Sequence, residues 1–537
     1  MFTKVYEFFI IRNISKKNFI NFILKQIISV TFVKNIFMQK DIIIIGGGIG
    51  GLMTACLLCK EGYRPTIIEQ HDRIGGGLHC FKRKGIYFES GIHYISGFED
   101  TGVLKKIFSY LGLFDKIKIK PLDNDCFDLL HIGSENLKVK MGIGKDNFIQ
   151  LLSEQFPHEA HAIQCYVNAI YEICNSIPLL NLRIDSTDWY TNEEFLISVN
   201  SFIKKFIKDE QLQHVLAWNN TLYGGSKDNS PIYIHAIITK FYIEGAARFI
   251  GGGQHVADAM ADMIQSHGGK IILNTEITKI EIENKKITKI IAKDNREFYA
   301  DNYIANIHPA LLMDLIDPNK IQKAYRTRLQ NLEISYSAFI LYVHFKPNTF
   351  PYLNYNYFYY KNRDLIWDAI NYNLDDYPPG FVLMTLPTSE NEQYAERGII
   401  TCIMRYDDFS QWENTYIEKR GDNYKVFKNQ IETKLLNLVN EVFPNFNDSI
   451  ENVYSASPLS IRDYLRTKNG GLYGFQKNCD NLIKTRIFPH TKITNLFLTG
   501  QNINLHGILG VPLNAILTTS VLIGDMNYLI NKINQHP

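Results

Sequence analysis

Residues 41–51 read Asp-Ile-Ile-Ile-Ile-Gly-Gly-Gly-Ile-Gly-Gly. Four consecutive isoleucines predict a short strand buried on both faces, the pattern of a central parallel strand. Gly46, Gly48 and Gly51 follow in G-x-G-x-x-G spacing, and Leu52 to Lys60 reads as a helix. Gly46 allows a tight turn off the strand. Gly48 lets the backbone approach a diphosphate, with Ile49 and Gly50 completing the loop. Gly51 lets the helix lie close on the sheet, and the helix N-terminus offers unpaired N–H groups to an anion. Glycine spacing of this kind is common by itself; the strand before it and the helix after it give it weight.

Pro65 to Glu69 predicts the second strand, and Glu69 ends it about 20 residues after the glycine loop, where a carboxylate holds ribose hydroxyls. A carboxylate there disfavours a 2′-phosphate, hence NADP at this site. The alternative for Glu69 is a solvated strand end. A second glycine cluster, Asp72-Arg73-Ile74-Gly75-Gly76-Gly77, comes soon after. It resembles the arginine–glycine–glycine segment of FAD-dependent amine oxidases and phytoene desaturases, which implies that Arg73, Gly75 and Gly76 lie along the FAD diphosphate. Those families often continue with arginine where this chain has Gly77. Further on, Glu89-Ser90-Gly91-Ile92-His93 is similar to the retinol saturase, carotenoid isomerase and phytoene desaturase branch of FAD oxidoreductases. That resemblance implies that Gly91 and His93 run beside the flavin ring.

The chain has 537 residues, which suits two interlocked domains better than one. Hydrophobic residues make up 45%, enough for large cores, and a net charge of +2 gives no field pointing to nucleic acid. The eight cysteines are scattered. With no evident signal peptide they are expected to be reduced cytosolic thiols. Cys56-x-x-Cys59 falls inside the first helix, so it reads as packing rather than redox chemistry. No spacing points to a metal site. Residues 1–37 carry Lys4, Arg12, Lys16, Lys17, Lys25 and Lys34 against Glu7. Basic residues break every apolar stretch, which disfavours a spanning helix. Two readings remain, a basic amphipathic segment on a membrane surface and, favoured, an over-long gene model whose natural start is Met38.

From about Asp100 to Lys240 the periodicity is helical, with a break at Pro157 and helices over 195–206 and 232–242. Gly251 to Gly253 reads as a turn before a helix, His255 to His267, rather than a second dinucleotide loop, because no clear buried strand leads into it. Strands are predicted over 270–273, 275–282, 287–292, 298–300 and 303–306. In the family that this set resembles, the residue matching Ile277 lies near the adenine. Residues 311–479 alternate short strands and helices. The last signature is Asn495 to Asn502, a strand ending at Gly500-Gln501, followed by a helix opening over Gly507 to Pro512. The resemblance implies cofactor contacts from Gly500, Gln501, Gly510, Val511 and Pro512. FAD families commonly have Gly-Asp where this chain has Gly500-Gln501; an amide still bonds but loses the charge. Pro512, Asn514 and the threonines make this uncharged helix a buried one rather than a membrane span.

The expected fold class is therefore α/β, a discontinuous Rossmann-type FAD-binding domain (38–98, 245–310 and 480–537) with an inserted mixed-sheet and helical substrate domain (99–244 and 311–479). The family resemblance implies an FAD-dependent oxidoreductase that saturates, desaturates or isomerises double bonds of a hydrophobic polyene or isoprenoid. His93 and His506 are the candidate acid/base groups. Only one dinucleotide fingerprint is present, so NAD(P)H enters at most as a transient reductant. A flavin amine oxidase is the alternative from another class, and a non-catalytic prenyl-lipid-binding protein of GDP-dissociation-inhibitor type is a third. The expected partner is a hydrophobic small molecule, with no nucleic acid. The expected location is the cytoplasm, with peripheral membrane contact because such substrates partition into bilayers; the sequence does not give the oligomeric state.

Overall fold

The computed structural model describes residues 41–184, 193–480 and 482–536; the basic segment 1–37 lies outside them. Ile42–Ile45 is a fully buried strand at the centre of a five-stranded parallel sheet. The sheet runs Leu496–Leu498, Asn302–Ala305, Ile42–Ile45, Thr66–Ile68, Lys270–Ile272. Three distant stretches of chain thus build one sheet, the discontinuous arrangement expected. The isoleucine run is explained by the packing. Ile42 and Ile44 join the core under the glycine-loop helix, Ile49–Lys60, while Ile43 and Ile45 face the core that includes the three-stranded antiparallel layer, Ile277–Glu283, Lys286–Ala292 and Glu297–Phe298. A strand with apolar partners on both faces has no use for alternation.

Helices Ile49–Lys60, Gln254–Ser266 and Gly507–Ile523 lie on one side. The last of these, the closing helix, is buried from Ile508 to Thr519 apart from one partly exposed position. It is core, as Pro512 and Asn514 predicted, and among the described residues no helix is long and apolar enough to cross a membrane. Cys56 and Cys59 are buried free thiols in the first helix, and burial pushes Cys59 up to about 11. A thiol so far from ionisation is a packing group.

The second large sheet has seven strands in the order Ile450–Ala456, Ser337–Phe345, Arg397–Met404, Gly380–Thr385, Asn356–Tyr360, Asp128–Ile132, Leu137–Met141. All neighbours are antiparallel except Asn356–Tyr360 with Asp128–Ile132. Two of these strands come from the stretch read as helical. Asp128–Ile132 alternates buried and half-buried positions, and a turn through Asn136 at φ 47° returns the chain as Leu137–Met141. This period-two signal is short and flanked by helices on the C-terminal side, which is why it was submerged. The helices expected there are present: Lys145–Gln155 and Ala160–Asn175 on either side of Pro157, then Val199–Phe206 and Ile232–Gly245. Ser198 caps the third, its side chain accepting from the Ser201 N–H.

A short buried strand, Ala247–Phe249, does lead into Gly251 to Gly253, contrary to expectation. It pairs antiparallel with Ile119–Pro121, outside the parallel sheet, so the triple glycine is still a turn before Gln254–Ser266.

At Gly51 the glycine loop leaves no room for a side chain: a Cβ there would collide with the Gly46 carbonyl oxygen and press on the Ile44 side chain. Gly51→Ala is expected to destabilise the protein by about 1–3 kcal/mol, the usual cost of forcing a methyl into packed structure. A fall of several degrees in Tm by calorimetry would show it; an unchanged Tm would contradict the packing described.

Candidate active site

Two glycine loops meet backbone to backbone. Gly48 bridges to Gly75, the Gly75 N–H donates to the Gly47 carbonyl at 2.9 Å, and a Cβ on Gly76 would stand 3.0 Å from the Gly48 Cα. Gly46 (φ +102°) and Gly75 (φ +121°) hold conformations that residues with a side chain rarely adopt. Gly48 precedes the first helix without any side-chain cap, so no side chain occupies the first helical N–H groups, and Gly48, Ile49 and Gly50 line the cavity.

Two side chains brace this junction. Glu69, buried, accepts from the Gly47 N–H at 2.6 Å through one carboxylate oxygen and from the His71 N–H at 2.9 Å through the other. Asn306, at the end of Asn302–Ala305, donates to the Gly46 and Gly48 carbonyls at 3.1 and 3.4 Å. Its side-chain oxygen also sits where a Cβ on Gly50 or Gly500 would go. The C-terminal signature is fastened to the same point. Thr54 Oγ1 donates to the Gly50 carbonyl at 2.7 Å and lies 2.9 Å from Thr499 Oγ1. Asn514 Nδ2 donates to the Gly500 and Leu505 carbonyls at 2.9 and 2.7 Å.

These elements line a cavity of about 620 Å³ that extends from the parallel sheet to the seven-stranded sheet. Of the residues predicted from sequence, Gly46, Gly48, Ile49, Gly50, Glu69, Gly76, Gly91, His93, Ile277, Gly500, Gln501, His506 and Val511 are in its wall. Gly51, Gly75, Gly510 and Pro512 stand behind the wall: Gly75 ties the two loops, Gly510 packs against Leu505, and Pro512 is buried in the closing helix. Arg73 is not in the wall. Its guanidinium donates to the Cys80 carbonyl at 3.3 Å and sits 3.6 Å from the Asp72 carboxylate, partly in solvent.

His93 is half-buried, with Nδ1 3.3 Å from Glu89 Oε2. His506 precedes the closing helix, its ring centroid 4.9 Å from that of Tyr473 and its Nε2 without a protein partner. Burial, with the Lys477 charge in second place, pushes His506 down to about 4. It is therefore neutral at physiological pH and serves as a hydrogen-bonding group rather than a stored proton. Asn306 was not singled out from sequence; it is an ordinary residue type whose role depends on contacts about 260 residues away, and no spacing rule reveals it.

The wall fits an extended dinucleotide flavin. The glycine cradle admits a diphosphate that any Cβ would displace. Glu69, Thr275 and Ile277 offer a ribose and adenine end. Buried His308 Nε2, Thr467 Oγ1, Asn502 Oδ1 and His506 Nε2, all on cavity-lining residues, have no protein partner. Buried polar atoms are seldom left so.

Glu69→Ala is expected to weaken FAD binding to apo-protein by about 10- to 100-fold, the value of one or two charge-assisted hydrogen bonds. Glu69→Gln should lose less, because it keeps an oxygen. Flavin fluorescence titration measures this, and equal affinity in Glu69→Ala would contradict the assignment. Between the ordinary value of 6.5 and about 4, the unfolded chain holds a proton on His506 that the folded chain does not, so acid favours unfolding over that window. His506→Gln should flatten the dependence of stability on pH between about 6.5 and 4. Denaturant melts at stepped pH test it; an acid limb as steep as that of the wild type would contradict it.

Comparison with known proteins agrees with this geometry. Residues 49–397 match the family model described as "Flavin containing amine oxidoreductase". All-trans-retinol 13,14-reductase of Danio rerio is 26% identical over 533 residues, covering 90% of this chain and 86% of that protein. Prolycopene isomerase 2, chloroplastic, of an Oncidium hybrid cultivar is 23% identical over 519 residues, covering 91% and 85%. Among solved structures, an oxidoreductase from Methanosarcina mazei superposes with a TM-score of 0.60 at 19% identity, covering 90% of this chain and all of that one, a likeness of fold. With the matched span running from the glycine loop through most of the seven-stranded sheet, the chain belongs to the flavin containing amine oxidoreductases and is a flavin-dependent oxidoreductase.

Proposed function

We propose that the protein is an FAD-dependent oxidoreductase acting on the double bonds of a hydrophobic polyene or isoprenoid, by saturation, desaturation or isomerisation. One observation carries this reading. The carboxylates in the cavity wall are Glu69, Glu276 and Asp314, all on segments flanking the parallel sheet. The wall toward the seven-stranded sheet carries Ile238, Phe241, Ile340, Phe381, Met384 and Ile403, and the polar side chains from the sheet itself, Tyr360, Thr401 and Cys402, are uncharged. A cationic amine would meet no counter-charge there, and burying it unpaired is costly. A conjugated hydrocarbon loses nothing. The named reactions of the retinol reductase and the prolycopene isomerase support the same class. The glycine cradle disfavours a purely lipid-binding protein, which has no need of a diphosphate site.

Bound flavin supplies the hydride chemistry. The chain supplies the rest. The backbone of Gly48 to Gly50 and of Gly76 would hold the diphosphate, Glu69 the ribose, and Gly91, Gly500 and Gln501 would place the ring. The apolar wall orients the chain of double bonds and excludes water. Among the described residues no cluster of side chains suits a metal ion. We include NAD(P)H as a transient reductant and peripheral membrane contact as parts of the proposal, since polyenes reside in bilayers.

The purified protein should be yellow. Anaerobic incubation with candidate polyenes, followed by flavin spectrum and product mass together, should give a product two hydrogens heavier, two lighter, or of equal mass. Flavin reduction by amines with no change in any polyene would overturn the reading.

A further inference from the structure

A charged diphosphate has to be held in a cavity whose wall already carries Glu69, Glu276 and Asp314, and the glycine cradle meets it with backbone alone. Among the described residues Arg466 is the one arginine or lysine in that wall. It follows the helix Pro458–Leu465, which comes directly after the edge strand Ile450–Ala456 of the seven-stranded sheet. That helix is firmly placed. Ser457 and Ser460 cap it reciprocally at 3.2 and 3.3 Å, and the Tyr424 hydroxyl lies 2.7 Å from Ser457 Oγ. Arg462 Nη1 donates to the Glu413 carbonyl at 2.7 Å, and Asp463 pairs with Arg420. Arg466 then turns left-handed, with φ 50° and ψ 44°. Helices usually place glycine there, so an arginine meets a backbone cost that its side chain has to offset.

The side chain reaches across to the parallel-sheet segments. Arg466 Nε donates to Gln70 Oε1 at 3.1 Å and Nη2 donates to Glu276 Oε1 at 2.6 Å. Nη1 has no partner among the described residues. Close by, His71 Nε2 donates to the Tyr464 carbonyl at 3.0 Å. Gln70 and His71 follow Glu69, and Glu276 precedes Ile277, so the guanidinium spans the two segments that offer the ribose and adenine end. The Arg466 side chain is 50% exposed, and as a surface ion pair alone it would contribute little. Its place in the wall and its spare donor separate it from Arg73, which is outside the wall.

We propose that Arg466 is a cofactor-binding residue that closes the seven-stranded-sheet side over the adenylate half of FAD. It bridges Gln70 and Glu276 and offers Nη1 and its charge to the nucleotide. The proposal rests on the reading of this cavity as an FAD site. Carboxylates and a diphosphate in one wall repel each other, and a cation fixed among them lowers that repulsion. The other oxygen of Glu276 accepts from Lys293 at 3.2 Å, but Lys293 is outside the wall, so Arg466 brings the fixed positive charge into the cavity.

The test compares wild type, Arg466→Gly and Arg466→Lys as full chains. Glycine suits φ 50°, so apo-protein of Arg466→Gly should fold. Titration of apo-protein followed by flavin fluorescence should show FAD bound about 10- to 50-fold more weakly by Arg466→Gly, the value of a charge-assisted grip. Release of FAD from the holo-protein should quicken by a similar factor. Arg466→Lys should recover part of the affinity, because it keeps the charge and loses the planar fork. Raising salt from about 0.05 to about 0.5 M should narrow the gap between wild type and Arg466→Gly. Wild-type FAD affinity in Arg466→Gly, or a loss that Arg466→Lys does not relieve, overturns this proposal and leaves the FAD site standing. A wild type that binds no FAD overturns both. Should Arg466→Gly not fold, Arg466→Gln, which keeps polar reach without charge, takes its place, and wild-type affinity there overturns the proposal.

Discussion

The structure depends on one contact, the backbone of Gly48 lying against the backbone of Gly75 and Gly76. Neither loop tolerates a side chain where they touch, and the Gly75 amide and Gly47 carbonyl close the junction at 2.9 Å. Glu69 reaches in from the second strand and Asn306 from the fourth in chain order, so the parallel sheet sets the position of both loops. Gly500 presses on Gly50, and Asn514 holds the Gly500 carbonyl from the closing helix. Residues near position 48, 76, 306 and 500 are therefore one assembly. A backbone cradle of this sort serves an anion well, because N–H groups carry no counter-ion and need no rearrangement to receive a phosphate.

The cavity changes character along its length. Carboxylates and unpartnered polar atoms cluster on the segments around the parallel sheet, whereas the seven-stranded sheet contributes aliphatic and aromatic surface. His235, His308 and His506 are all buried and pushed well below the ordinary histidine range by desolvation. The interior thus keeps these histidines neutral. Such a site favours an uncharged substrate and leaves the redox chemistry to a bound flavin, with the protein controlling orientation and protons.

Much of the parallel-sheet region was legible because its signals are local. Four isoleucines, three spaced glycines and an acid at the end of the next strand lie within 30 residues or so of each other, and each has a backbone reason. The Gly500 segment was legible through its strand-then-glycine pattern. The residues that brace the site were not. Asn306 is an asparagine after a strand, and only the fold brings it over Gly46 and Gly48. Arg73 shows the converse, a residue whose neighbours in sequence implied a phosphate contact while its guanidinium is occupied by Cys80 and Asp72. The strands Asp128–Ile132 and Leu137–Met141 were hidden for another reason: five-residue elements whose alternation is weak join a sheet formed mostly by residues 337–456.

The central claim is that an adenine-bearing flavin lies across both loops, held at its nucleotide end by Glu69 and Ile277. Calorimetric titration of apo-protein with FAD and, separately, with FMN tests it most directly. The account predicts one FAD bound per chain and FMN bound far more weakly, because FMN cannot reach the adenine end. Equal affinity for FMN, or no heat with either flavin, would contradict it.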